Sequence, residues 1–160
     1  MKIEILSHKS VEQLSKNNAL VSVAVIFIDN YGGDKKNINC KKILSLYFND
    51  TTEYKHPYAM KQGDAIKIKE YVLSLEKDVE KLIVSCTAGV SRSAAVAAGI
   101  MQGLGNSDMI VWKNPNYSPN ILCYKLVLKA FGKTTLFANI KKKISIHAFR
   151  RKIKKNRFVK

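Results

Sequence analysis

Cys86 and Arg92 stand six positions apart, with Gly89 between them and Ser93 directly after the arginine. Ahead of them runs the apolar, strand-like Leu82-Ile83-Val84-Ser85. Behind them lies Ala94-Ala95-Val96-Ala97-Ala98-Gly99-Ile100-Met101, whose small apolar residues fit a helix buried on most sides. A tight loop between a strand and a helix N-terminus turns several backbone N–H groups inward, and the helix dipole adds partial positive charge. Gly89 lets the backbone turn where a side chain would not fit. Arg92 supplies a planar fork that matches two phosphate oxygens. A free thiol titrates near about 8.5, and surroundings of this kind bring it below neutrality. The cup formed by Thr87, Ala88, Gly89, Val90, Ser91 and Arg92 would thus both bind a phosphate and activate the Cys86 nucleophile beneath it. The competing reading is a structural cysteine beside a helix whose arginine faces water. Spacing alone does not separate the two; the strand before, glycine within, serine after and small-residue helix beyond favour the cup.

The elements that must hold this loop can be read along the chain. Lys2 to Leu6 alternates polar and apolar and reads as a short strand, and Ser10 can cap a brief helix through Leu14. Val21 to Ile28, rich in β-branched residues, reads as a buried central strand that ends in the turn-rich Asp29-Asn30-Tyr31-Gly32-Gly33-Asp34. Ile43 to Phe48 is a further strand. Between Lys61 and Leu75 the residues Ala65, Ile66, Ile68, Tyr71, Val72 and Leu75 follow a helical period. Asn120, after Pro119, can cap a helix through Phe131, with Gly132 as its stop. Strands alternating with helices predict an α/β domain: a mostly parallel sheet of four to five strands flanked by helices, with the phosphate-binding loop between strand and helix.

Composition narrows the classes. Apolar residues make up 46% of the 160, enough for a folded core rather than a disordered chain. The longest apolar stretch, Leu20 to Ile28, is too short to span a bilayer, and Met1 to Ser10 carries charge at Lys2, Glu4 and Lys9, unlike a secretory segment; a cytoplasmic protein is expected. Three cysteines (Cys40, Cys86, Cys123) and no Cys-x-x-Cys pair argue against a disulfide framework and, with scattered histidines, against a zinc site; no metal or cofactor is expected.

The net charge of +16 is uneven. Residues 141–160 hold ten Lys/Arg and no acid, which leaves 18 basic and 12 acidic residues in 1–140. This divides the chain into a body, 1–140, and a basic C-terminal helix or tail, 141–160. Ile144, Ala148, Phe149 and Ile153 recur at near-helical spacing there, so a last helix docked on the body with a solvated basic face is expected. An acidic partner, nucleic acid or an anionic membrane surface are the ligands such a segment attracts.

The run Val84-Ser85-Cys86-Thr87-Ala88-Gly89-Val90-Ser91-Arg92-Ser93-Ala94 resembles the active-site signature of the dual-specificity branch of the protein tyrosine phosphatase superfamily. The likeness extends to Leu46-Tyr47-Phe48-Asn49-Asp50 upstream and Pro119-Asn120 downstream, over about residues 20–132. The resemblance implies that Cys86 attacks phosphorus to form a phosphocysteine, that Arg92 holds the equatorial oxygens, and that Ser93 eases departure of the thiolate. It departs from the family at Ser85, where a histidine is usual.

The family also places an aspartic acid, the proton donor to the leaving group, on a separate loop some thirty-odd residues before the cysteine. Asp50, 36 positions before Cys86 and just past a strand, fits that role best. Asp29 and Asp34 are the alternatives, and Asp64 opens a helix instead. Asn120 is a helix cap on its own merits, and the resemblance adds a role in positioning the hydrolytic water. The function implied is a cysteine-dependent phosphatase acting on phosphotyrosine of a protein substrate, with phosphoserine and phosphothreonine as further side chains. An RNA 5′-triphosphatase or phosphoinositide phosphatase, and a phosphate-binding module without turnover, are the alternatives.

Overall fold

The computed structural model describes residues 1–33, 38–75 and 79–157. Four strands, β1 (Lys2–Ser7), β2 (Val23–Asp29), β3 (Lys42–Tyr47) and β4 (Lys81–Cys86), form one sheet in the order β1-β4-β2-β3. Every pairing is parallel, and Cys86 ends β4 in register with Ser7 of β1 and Ile28 of β2.

Alternation along the strands divides the core in two. Ala24, Ile26, Ile28, Leu82, Val84 and Cys86 face α2 (Gln62–Ser74), α3 (Arg92–Gly103) and α5 (Ile121–Ala130). Val25, Phe27 and Ile83 face the other way, toward Val11 and Leu14 of α1 (His8–Lys16). Burial on both faces explains why β2 reads as an unbroken apolar run. The chain leaves neighbouring strands β1 and β4 toward opposite faces, into α1 and α3. Such a divergence opens a crevice at the carboxyl edge of a parallel sheet, and ligands bind there in open α/β folds. Gly99 makes close packing possible behind it: a Cβ there would lie 2.7 Å from the Val127 side chain of α5.

Several sequence expectations need correction. The cap of α1 is Ser7, whose side chain accepts from Ser10 N, and the helix runs to Lys16 rather than Leu14. Ile66 sits on the solvent side of α2, because six apolar positions span more of the helix than its buried face. A short helix, α4 (Met109–Trp112), was not anticipated. Residues 141–157 of the basic segment belong to α6 (Ala138–Arg157), 158–160 lie outside the described residues, and Ile144 and Ala148 are half-buried while Phe149 and Ile153 face solvent.

α6 is held to the body by a buried polar cluster. Asp108, 1% exposed, accepts from Trp112 Nε1 at 3.0 Å, Tyr124 OH at 2.6 Å and Lys141 Nζ at 2.7 Å. Lys141 Nζ also donates to Gln102 Oε1 and Tyr124 OH. Among the described residues, no helix is long and apolar enough to cross a membrane.

Candidate active site

β4 delivers Cys86 into the core, and the chain turns at once through Thr87–Ser91 into α3. The turn depends on Gly89, which has φ +70°. A Cβ at that position would come within 2.8 Å of Leu6 C and Ser7 N, so the loop rests directly on the β1–α1 junction. No other residue type meets both conditions without displacement.

Cys86 is 3% exposed, and its Sγ lies 3.0 Å from Ser93 Oγ. Burial pushes its pKa up, but the Ser93 hydroxyl and the backbone N–H groups of Ser93, Gly89 and Val90 outweigh burial, and the net direction is down. The other thiols go the opposite way. Burial raises both Cys40 and Cys123 and outweighs what lowers them, a backbone hydrogen bond at Lys42 for the first and the charge of Arg92 for the second.

Arg92, the first residue of α3, is 4% exposed and folds its guanidinium back over the loop. Its Nη1 donates to Phe48 O at 2.7 Å and its Nη2 to Thr87 Oγ1 at 3.0 Å. Nε is buried and has no acceptor in the protein. The Phe48 anchor fixes the plane of the fork and leaves Nε as its unpaired donor. A buried guanidinium N–H without a partner is costly unless an anionic oxygen meets it.

Asp50 reaches the same place from the end of β3. Phe48 N bonds Asp29 O, and Asn49 N bonds Tyr58 O, so the chain is fixed just before Asp50. Ser91 Oγ donates to Asp50 Oδ1 at 2.9 Å, and Asn120 Nδ2 donates to the same oxygen at 2.7 Å. Both donors converge on Oδ1, and Oδ2 takes neither. Asn120 also donates to Thr51 O, while its own Oδ1 accepts from Leu122 N and Cys123 N at the start of α5. One asparagine thus caps a helix and holds the Asp50 loop. The segment before it joins the Thr87–Ser91 loop through Ser118 N to Val90 O and Asn120 N to Ser91 O.

Cys86, Arg92, Ser93, Ser91, Thr87, Asp50 and Asn120 therefore share hydrogen bonds at one end of the sheet. Thr87, Ala88 and Val90 are exposed, while the Thr87 hydroxyl is taken up by Arg92. Asp64 does not join them: its carboxylate accepts from Lys61 N at 2.8 Å, capping α2. Asp29 accepts from its neighbour Asn30 N, and Asp34 lies outside the described residues.

Of two further neighbours of the loop, His8 carries no mark in the sequence, and Ser85 is marked there only as a departure from the resembled family. His8, first in α1, is buried, stacked on Phe27 with ring centroids 4.0 Å apart, and its Nε2 donates to Ile28 O at 3.0 Å. Burial lowers its pKa, and the positive charge of Arg92 works in the same direction. Ser85, where the resembled family has histidine, is fully buried, with an Oγ that finds no partner in the protein. The side chain directly before Cys86 therefore supplies no hydrogen bond to order the loop. Leu6 and Ser7, pressed against Gly89, support the loop from the neighbouring strand.

No family model matches this sequence, and no curated protein matches it. Among solved structures the chain is similar to the crystal structure of DUSP15, a dual-specificity phosphatase. The TM-score is 0.55 at 14% sequence identity, over 93% of this chain and 91% of that one. The likeness is one of fold: a phosphatase-like α/β domain with a four-stranded parallel sheet flanked by helices.

Proposed function

We propose that the chain is a cysteine-dependent protein phosphatase that hydrolyses phosphotyrosine, and phosphoserine or phosphothreonine where they reach the loop, through a phosphocysteine. The observation that carries this reading is the environment of Cys86. Three backbone N–H groups and a hydroxyl favour its thiolate, and the buried Arg92 Nε next to it lacks an acceptor.

In the first step Cys86 Sγ attacks phosphorus while the bond to the ester oxygen breaks. Asp50, protonated on Oδ2, gives that proton to the departing alkoxide or phenoxide. Arg92 and the loop amides stabilise the charge on the equatorial oxygens. In the second step Asp50, now a carboxylate, takes a proton from water as the water oxygen bonds to phosphorus. The S–P bond breaks, and the Ser93 hydroxyl donates to the thiolate as it leaves. Ser91 and Asn120, both bonded to Oδ1, keep Asp50 turned toward the loop through both steps, and the reading gives Asn120 the further role of positioning the water.

A non-catalytic phosphate-binding module is supported less well, because binding alone has no need of a stabilised thiolate. Hydrolysis of a generic aryl phosphate in the presence of a metal chelator tests the reading. The parent chain should turn over, Cys86→Ser should not, and Asp50→Asn should slow turnover with little change in KM. Turnover that survives Cys86→Ser would overturn it. Phosphate release from phosphopeptide, phosphoinositide and triphosphorylated RNA, compared side by side, separates the substrate classes.

A further inference from the structure

α6 presents two adjoining stripes. Lys141, Ser145, Ala148 and Lys152, at spacings of four, three and four, turn toward the body. Lys141 bonds Asp108, Ser145 Oγ bonds Tyr117 O at 3.2 Å, and Lys152 Nζ bonds Asn116 Oδ1 at 2.6 Å. Shifted by one residue, Lys142, Ile146, Phe149 and Ile153 repeat the same spacing about 100° around the helix. Ile146 is 43% exposed, Phe149 50% and Ile153 40%. Beyond them, Lys143 and Arg150 complete the outer face, and residues 141–160 contain no acid. Just ahead of the helix, Leu136 and Phe137 are exposed as well.

We propose that this face of α6 lies on an anionic lipid bilayer, with Phe149 and Ile153 among the acyl chains and Lys142, Lys143 and Arg150 at the headgroups. The inference does not depend on the phosphatase reading. A helix with an apolar stripe beside Lys and Arg binds such a surface through both kinds of residue at once. Nucleic acid would use the cations but has nothing to offer an isoleucine and phenylalanine stripe. A second copy of this chain would bring one basic helix, on a body of like charge, against another. The docked side of α6 is fixed by three polar contacts, so the exposed stripe is available without unfolding.

The test is sedimentation of the full chain with vesicles of phosphatidylcholine, with and without phosphatidylserine. Binding is expected only to the anionic vesicles and should weaken with salt. Phe149→Ser/Ile153→Ser leaves the charge unchanged and alters exposed positions, so an unchanged melting curve is expected together with binding weakened roughly tenfold or more. In Phe149→Trp the added emission should move to shorter wavelength when anionic vesicles are present. Failure to bind anionic vesicles overturns the proposal, as does vesicle binding by Phe149→Ser/Ile153→Ser equal to that of the parent. A dimer in sedimentation velocity that the same double substitution dissociates would assign the stripe to a second copy instead.

Discussion

Asn120 Nδ2 lies 2.7 Å from Asp50 Oδ1 although the two residues are 70 positions apart in the chain. The bond ties the start of α5 to the loop after β3, and Ser91 of the loop after β4 shares the same acceptor oxygen. Removing the amide therefore touches two functions of one residue. Asn120→Ala should lose a helix cap, costing about 1 kcal/mol of stability. It should also lower kcat roughly tenfold for esters with poor leaving groups, since a misplaced acid costs proton transfer. With a good leaving group the loss should be smaller. A residue that served only as a cap would slow both kinds of ester equally, so the ratio of the two rates is the measurement.

The depressed pKa of Cys86 has a consequence for labelling. Its alkylation by iodoacetamide should follow a pH profile with an inflection below that of an ordinary cysteine, and Cys86 should react before Cys40 and Cys123, whose pKa values are raised. Ser93→Ala removes the nearest donor to the sulfur and should shift the inflection upward. The linked effect on stability has a defined sign. Because folding lowers this pKa, the contribution is present above the unfolded thiol value and is lost as pH falls through the folded one. Mass spectrometry of the labelled protein across pH reads both inflections.

Gly89→Ala should be among the most damaging substitutions of a surface loop. The methyl group would meet the Leu6–Ser7 peptide at 2.8 Å, in a backbone conformation that alanine rarely adopts. Strain of this kind costs about 1–3 kcal/mol, and the overlap adds to it. Urea unfolding should show the lower midpoint, and aryl phosphate turnover should be lost even where the fold survives.

Lys141→Met would leave Asp108 as a charge buried at 1% exposure without its cation. Breaking a buried pair from one side typically costs about 3–5 kcal/mol. Asp108→Asn added to Lys141→Met should recover much of that loss, because the charge that lacked a partner is gone. A double-mutant cycle in urea checks both statements.

The strand, loop and helix around Cys86 were legible because they are contiguous and carry their pattern within about twenty residues, from Leu82 to Met101. Asp50 and Asn120 were each visible, one through a family resemblance and the other as a cap, but nothing local announces that they bond to each other. The cap of α1 was misplaced because Ser7 and Ser10 are equally good caps in isolation. The register of β1 against Cys86 decides between them, and that is a tertiary fact. His8 depends on Ile28 and Phe27, some twenty residues away, and Asp108 on Lys141, thirty-three away. In α2 the apolar pattern was too generous, since Ile66 fits the period but not the neighbours.

Among the described residues, β4 is the last strand, lies between β1 and β2, and is the only strand that β1 pairs with. During synthesis the first six residues of the sheet must wait, unpaired, until some eighty more have been made. The insertion that gives them a neighbour is the same one that sets Cys86 at its end and seats Gly89 on the Leu6–Ser7 peptide. Closure of the sheet and seating of the Thr87–Ser91 loop are thus linked, so a molecule with its first strand paired already has Cys86 in place.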